Sequence, residues 1–293
     1  LVVIAEELGR ACAPVPFSST VYLAAEAIMA LGTEAQKQAW LPKFADGTAI
    51  GCFAMGEAGG RVTPDQMSTR MQDGVLNGTK VPVADGGIAN VAIVVCASEK
   101  GDGATLALVD LSQDAVSKDN VQMIDFSRGH SELVFNGACA ETLGEEGAGW
   151  TAVESLMNTA AVLFAWEQIG IADKALEQAR EYALGRFAFG RSIASYQAIK
   201  HKLAKMYVKN TLARSNAYYG AWALNAQASD LAVASATSRV AAIQASLFAA
   251  EENIQTHGGM GFTWEFDCQF YYRRAKLLSL AVGSEKQWQG RLV

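Results

Sequence analysis

The apolar positions change period twice along the chain. Over residues 1–47, "LVVIAEELGRA", "TVYLAAEAIMAL" and "TEAQKQAWLPKFADG" repeat at helical spacing, the third with Thr33 as its cap and Gly47 as its stop. From Ala49 to Cys139 the runs shorten: "IGCFAM", "GVLNGTKVPV", "NVAIVVCA", "ATLALVDL", "VQMIDF" and "SELVFNG" are divided by Gly, Asp and Asn, with the Asn77-Gly78 pair a hairpin signal. No helix-length segment separates them, so they predict a mostly antiparallel barrel or sandwich. After "GEEGAGW" (144–150) helical spacing returns over 151–184, 194–228, 230–256 and 267–281, four segments that read as a bundle. The pattern predicts an α+β chain: helical over 1–48, a small antiparallel β domain over 49–143, and a C-terminal four-helix bundle over 144–293.

Composition narrows the partners. At 293 residues and 51% hydrophobic, the chain can bury a sizeable core. A net charge of −6 with no dense Lys/Arg run argues against a nucleic-acid backbone. The longest apolar stretch, "SRVAAIQASLFAA" (238–250), contains Arg239 and reads as too short to span a bilayer, so a cytoplasmic protein without a membrane span is expected. The chain opens inside a helical pattern without an initiating Met, as a fragment would. Five scattered cysteines form no C-x-x-C pair and three histidines no H-x-x-x-H spacing, so no metal site is predicted. Chemistry is left to carboxylates or a cofactor.

Three stretches carry that chemistry. In "YALGRFAFGRSIASYQAIKHKLAKM" (182–206) a break between two helices holds two glycines, two arginines and three aromatics, more than a surface turn requires. "IQTHGGMGFTWE" (254–265) sets Gly258, Gly259 and Gly261 directly after a helix, either as a helix stop or as backbone able to approach a ligand. "AIGCFAMGEAGG" (49–60) ends a strand in a loop with Glu57, Gly59 and Gly60. Arg274 and Lys276 read as a solvated or interface face, His130 as structural, and Arg128 as either a contact for an acidic ligand or idle.

Taken together, in this helix–β–helix order, the chain resembles the acyl-CoA dehydrogenase family over essentially its whole length. The resemblance rests on Arg186, Phe189, Gly190, Arg191, Ile193, Tyr196 and Gln197, on Gln255 with Gly258 to Phe262, and on "YYRRAKL" (271–277). It implies an FAD-dependent oxidoreductase that converts an acyl-CoA thioester to a trans-2-enoyl-CoA and passes electrons to an electron-transfer flavoprotein. It further implies a homo- or hetero-oligomer, such as a dimer of dimers, in which Arg186 and Phe189 reach the FAD of a neighbour. Gln197, Gln255 and Glu57 are further cofactor-binding residues it suggests, with Gly258, Gly259 and Gly261 letting the backbone approach the same cofactor from the opposing chain; Glu57 is alternatively a solvated loop carboxylate.

The sequence departs from that family in two places. Where the catalytic Glu is usual, in the loop after "RRAKL", stands Val282, and the alternative position near Asn158 to Ala161 also lacks a carboxylate. Glu167, in an apolar helix where burial would raise its pKa, and Glu285, three residues past Val282, are the replacement candidates; a structural salt bridge is the rival reading for both. Where the family often has Trp-Ile-Thr against the flavin, this chain has "KVPVADGG" (80–87), which together with "EELGRACAPVPFSS" looks more like the branch that handles bulky, sterol-derived thioesters. A non-catalytic, FAD-sharing partner subunit is the alternative function.

Overall fold

The computed structural model describes residues 1–59 and 62–293; Gly60 lies outside the described residues. By packing, the chain divides into two units, Pro14–Met157 and Leu1–Ala13 with Asn158–Val293.

In the first unit, a π-helical stretch (Ser18–Ala25) runs into α2 (Glu26–Leu31), followed by α3 (Glu34–Ala45). Thr33 caps α3 as expected: its hydroxyl accepts from Gln36 N–H, and Gln36 returns a bond to the Thr33 N–H. Eight strands form the sheet: β1 (Gly51–Ala54), β2 (Arg70–Gln72), β3 (Val75–Ala84), β4 (Val91–Ala97), β5 (Ala104–Asp110), β6 (Val116–Val121), β7 (His130–Cys139) and β8 (Glu141–Leu143). Their order is β6-β7-β3-β2-β4-β5-β8, with β1 added on β4. Among the described residues only β1–β4 and the short β2–β4 contact are parallel, so the sheet is mostly antiparallel as its spacing predicts. β4 is buried at every position, and with Leu76, Leu133 and Phe135 it forms the core.

The expected hairpin at Asn77-Gly78 is not the one that forms. Both residues lie inside β3, and the two-residue turn is Asp73-Gly74 (φ 50° and 77°), closing Gln72 onto Val75. Gly78 is needed for another reason: a Cβ there would sit 2.6 Å from the Cα of Thr69. Nor is Arg128 idle. It is buried and donates to Asp85 at 2.7 Å and to Ser18 at 3.0 Å, so its acidic partner belongs to the chain. His130 is buried beside it, and burial lowers its pKa.

The second unit holds α1 (Val2–Arg10), most of α4 (Gly149–Gly185), α5 (Gln197–Asn225), α6 (Leu231–His257), α7 (Cys268–Leu278) and α8 (Glu285–Gln289). Small residues let these helices approach: Ala172, Ala175, Ala179 and Ala249 close around Met206. α1 joins this unit, whereas α2 and α3 pack with the sheet. The α1–α4 crossing is made by reciprocal glycines, for a Cβ on Gly9 would run into the Glu167 carbonyl, and one on Gly170 into the Glu6 carbonyl. Ion pairs Arg10–Glu177 and Arg214–Glu6 flank it.

The apolar stretch around 238–250 is longer in structure than its sequence suggests. Leu231–Phe262 is long and apolar enough to cross a membrane by length and composition, because Leu231, Ala232, Val233, Ala234 and Ala236 extend the apolar run on its N-terminal side. Half of that apolar window is buried inside the chain, and α6 carries the wholly buried Arg239. It packs as a core helix.

Candidate functional site

The break that interrupts the helices is a tight β-hairpin. After α4 ends at Gly185, β9 (Phe187–Ala188) pairs antiparallel with β10 (Arg191–Ser192), and Phe189 (φ 52°) and Gly190 (φ 79°) make the turn. The hairpin is pinned at its base. Ser192 donates to the Ala183 carbonyl at 2.7 Å, Tyr196 donates to the Ala188 carbonyl at 3.0 Å, and the Arg191 guanidinium lies 4.0 Å over the Tyr196 ring. Its outer face points to solvent: Phe189 is 98% exposed and Phe187 65% exposed. Arg186 is exposed and forms no ion pair among the described residues, and Gln197 is exposed at the start of α5.

The glycine run reaches the same end of the bundle. Gly258 (φ 61°) caps α6 and opens a 3₁₀ turn, Gly258–Phe262. A Cβ on Gly258 or Gly259 would meet nothing within 4 Å, which leaves that backbone open to a ligand. Gly261 serves the turn instead: it is buried, and a Cβ there would press on the Ile254 carbonyl at 2.7 Å. Gln255 is exposed one turn before Gly258. The His257 ring stacks on Tyr182 at 4.2 Å and meets the edge of Phe266 at 5.2 Å. This stack joins the end of α4, four residues before Arg186, to the end of α6, one residue before Gly258. Tyr182, His257 and Phe266 carried no signal as a set, because nothing in the sequence says that these two helix ends meet.

The acidic candidates are engaged. Glu167 is buried, with Arg274 Nη1 at 3.7 Å from its carboxylate, so it is not the unpaired glutamate that its apolar helix suggests. Arg274, expected on a solvated or interface face, is wholly buried and also donates to the carbonyl of Ala13, in the segment that follows α1. Lys276 pairs with Glu251 at 2.9 Å near the surface. Glu285 opens α8 and accepts from Gln244 at 2.7 Å and Gln289 at 2.8 Å, at the rim of a cleft of about 400 Å³ floored by Ile243, Leu247 and Leu280. Asn158 accepts from Arg291 at 2.9 Å, and Ala160 and Ala161 are buried. Val282 stands in left-handed backbone (φ 53°) ahead of Gly283 (φ 113°), a conformation that a β-branched residue rarely adopts.

Glu57 belongs to the sheet unit and is neither solvated nor free. Its carboxylate accepts from Lys80 Nζ at 2.8 Å, from Ser68 through both N–H and hydroxyl, and from the Thr69 N–H. Burial pushes its pKa up, but these donors prevail and hold it at about 2. Lys80 is wholly buried, so this pair ties β3 to the loop before β2. Among the described residues no cluster of His, Cys, Asp or Glu has the arrangement of a metal site.

An exposed arginine, open glycine backbone and unburied aromatics thus meet at one end of an Ala-rich bundle, in a chain that also holds a mostly antiparallel sheet. The acyl-CoA dehydrogenase N-terminal domain profile matches residues 1–48 and the C-terminal domain profile residues 147–289. The short-chain specific acyl-CoA dehydrogenase of Megasphaera elsdenii is 30% identical over 96% of this chain and 77% of its own length. Butyryl-CoA dehydrogenase from the same organism has a similar structure, with a TM-score of 0.91 and 26% identity, covering 99% of this chain and 80% of that one. A variant of the steroid acyl-CoA dehydrogenase Tcur3481-Tcur3483 superposes with a TM-score of 0.88 at 26% identity over 99% and 78% of the two chains. A chain from the structure of the electron transferring flavoprotein of Acidaminococcus fermentans does so with a TM-score of 0.91 at 25% identity over 99% and 80%. The chain belongs to the acyl-CoA dehydrogenase family.

That family of oxidoreductases works with FAD. The helical end fits such a group: Arg186 offers an exposed guanidinium fork to a pyrophosphate, Gly258 and Gly259 leave room for its close approach, and Phe187 and Phe189 offer apolar faces to planar rings.

Proposed function

We propose that this chain is the FAD-sharing subunit of an acyl-CoA dehydrogenase assembly that forms a trans-2-enoyl-CoA, and that a homologous neighbour supplies the proton-abstracting base. The observation that carries this reading is the state of the three positions where a base is sought. Val282 cannot take a proton, Glu167 lies against Arg274, and Glu285 is held by two side-chain amides. FAD, when bound, supplies the hydride acceptor for the β-hydrogen. Arg186 would pair with its pyrophosphate, Gly258 and Gly259 would let the backbone approach it, and Phe187 and Phe189 would help exclude water.

The α5 surface supports an assembly. Val208, Leu212, Tyr219 and Trp222 are exposed at heptad-like spacing, on the face opposite the buried Met206, Asn210, Ala213 and Ala217. The occupant we assign to that stripe is a helix from a second chain of this fold. The likeness to a steroid acyl-CoA dehydrogenase favours a bulky acyl group, and an electron-transfer flavoprotein is the acceptor we infer. Free cysteines, one of them exposed, suit a reducing cytoplasm.

The test is to purify the chain alone and with a homologous partner, and to record the flavin spectrum and its bleaching by CoA thioesters. Alone, the chain should bleach slowly or not at all, while Val282→Glu should raise dehydrogenation by roughly 10²–10⁴-fold. Normal turnover by the unmodified chain alone, abolished by Glu285→Gln with flavin retained, would replace this reading with a self-sufficient enzyme.

A further inference from the structure

Arg239 is a wholly buried cation on α6 whose hydrogen-bond partners are all neutral. Its guanidinium donates to the side-chain carbonyl of Gln168 on α4, to the carbonyl of Leu278 at the end of α7, and to the carbonyl of Ala281 at 2.6 Å. The Phe164 ring lies 5.7 Å away, and Glu167 acts on it through space. The last carbonyls of a helix usually bond to water or to a following glycine turn, so a buried guanidinium is a costly substitute. What it holds is the turn in which Val282 adopts φ 53°. The Ala281 carbonyl shares a peptide plane with the Val282 N–H, so fixing that oxygen fixes one side of the φ rotation at Val282.

We propose that Arg239 is the positioning residue of the 279–283 turn: acting from the bundle core, it imposes the backbone conformation at position 282 whatever side chain stands there. Its catalytic significance rests on the reading that this turn is where the family's base belongs; the positioning itself does not. The turn is then a preserved socket. Valine tolerates a left-handed backbone because the guanidinium leaves the peptide no other orientation, and a carboxylate put in its place would be held in the same geometry.

Arg239→Lys tests this, because an ammonium keeps the charge but lacks the planar fork that spans three acceptors. Hydrogen exchange in peptides covering 279–284 should speed up about tenfold or more, while α4 and α6 keep their protection. Val282→Gly should raise the urea midpoint in the parent, since glycine takes this φ freely, and that gain should vanish in the Arg239→Lys background, where the turn is already free to relax. Equal gains in both backgrounds together with unchanged exchange would overturn the proposal and leave Arg239 as core filling. If Arg239→Lys does not fold, Arg239→Gln, which buries no charge and still donates to one carbonyl, gives the same two readouts. With Val282→Glu present, Arg239→Lys should lower kcat about tenfold or more at nearly constant KM. A Val282→Glu protein with no dehydrogenation, alongside the expected exchange and coupling, would remove the base reading and leave the positioning intact.

Discussion

Two of the breaks in the helical unit set a non-glycine residue in left-handed backbone ahead of a glycine. Phe189 (φ 52°) precedes Gly190 (φ 79°), and Val282 (φ 53°) precedes Gly283 (φ 113°). They are held in opposite ways. The first is pinned only at its base, through Ser192 and Tyr196, and presents Arg186, Phe187 and Phe189 outward. The second is tethered from beneath by a guanidinium that reaches no solvent. A turn that presents a cation and aromatic faces to solvent is open to something that arrives; one whose carbonyls are satisfied from the core is built to keep a fixed shape.

The contrast is broken most forcefully at the tether. Arg239→Met leaves the oxygens of Gln168, Leu278 and Ala281 without their donor and should cost about 2–4 kcal/mol in urea unfolding. A loss of only a few tenths would mean that water replaces the guanidinium. At the outward turn the effect should fall on ligand rather than fold: Arg186→Ala should weaken FAD retention roughly 10–100-fold in a fluorescence titration, with the thermal transition unmoved. Unchanged flavin affinity would remove the hairpin from the cofactor site.

Smaller changes sharpen the comparison. Glycine at either left-handed position relieves strain but adds freedom to the unfolded chain. Val282→Gly should therefore stabilise by about 1 kcal/mol, and Phe189→Gly, where no β-branch is relieved, by about half that or less. Acid should separate the two ends by a still smaller margin. Burial lowers the His257 pKa, so the folded chain binds this proton less readily than the unfolded one. Stability therefore declines as pH falls from about 6.5 through the lowered value. His257→Phe keeps an aromatic ring against Tyr182 and should flatten that slope, as read from melting temperatures across the same pH range. An unaltered slope would assign the titration elsewhere.

What the sequence made legible was local. Thr33 with Gln36 three residues on is a complete cap within one turn, and the Arg, Gly and aromatic residues of 186–197 announce an interrupted helix wherever it lies. What stayed hidden depended on distant partners. Asp73-Gly74 and Asn77-Gly78 are equivalent turn signals, and the close pass of Thr69 over Gly78 puts the second inside a strand. Arg274 looked solvated within "YYRRAKL" because Glu167 and Ala13, which surround it, lie more than a hundred residues away. Arg239 read only as a charge that interrupts an apolar stretch. Its real task became visible once α4, α6 and α7 had been brought together.

The reciprocal glycines at the α1–α4 crossing also act as an indexing key. Gly9 and Gly170 each leave room for one carbonyl of the other helix, three residues from the other glycine, so the two helices mesh in a single alignment. Sliding α1 by one residue would bring Leu8 or Arg10 onto the α4 backbone, where no side chain fits. Where alanines line the bundle, as around Met206, helix docking can absorb small adjustments, but here the fit permits no intermediate setting. This joint therefore sets the zero mark from which the positions of Glu6 against Arg214, Arg10 against Glu177 and Ala13 against Arg274 are all counted.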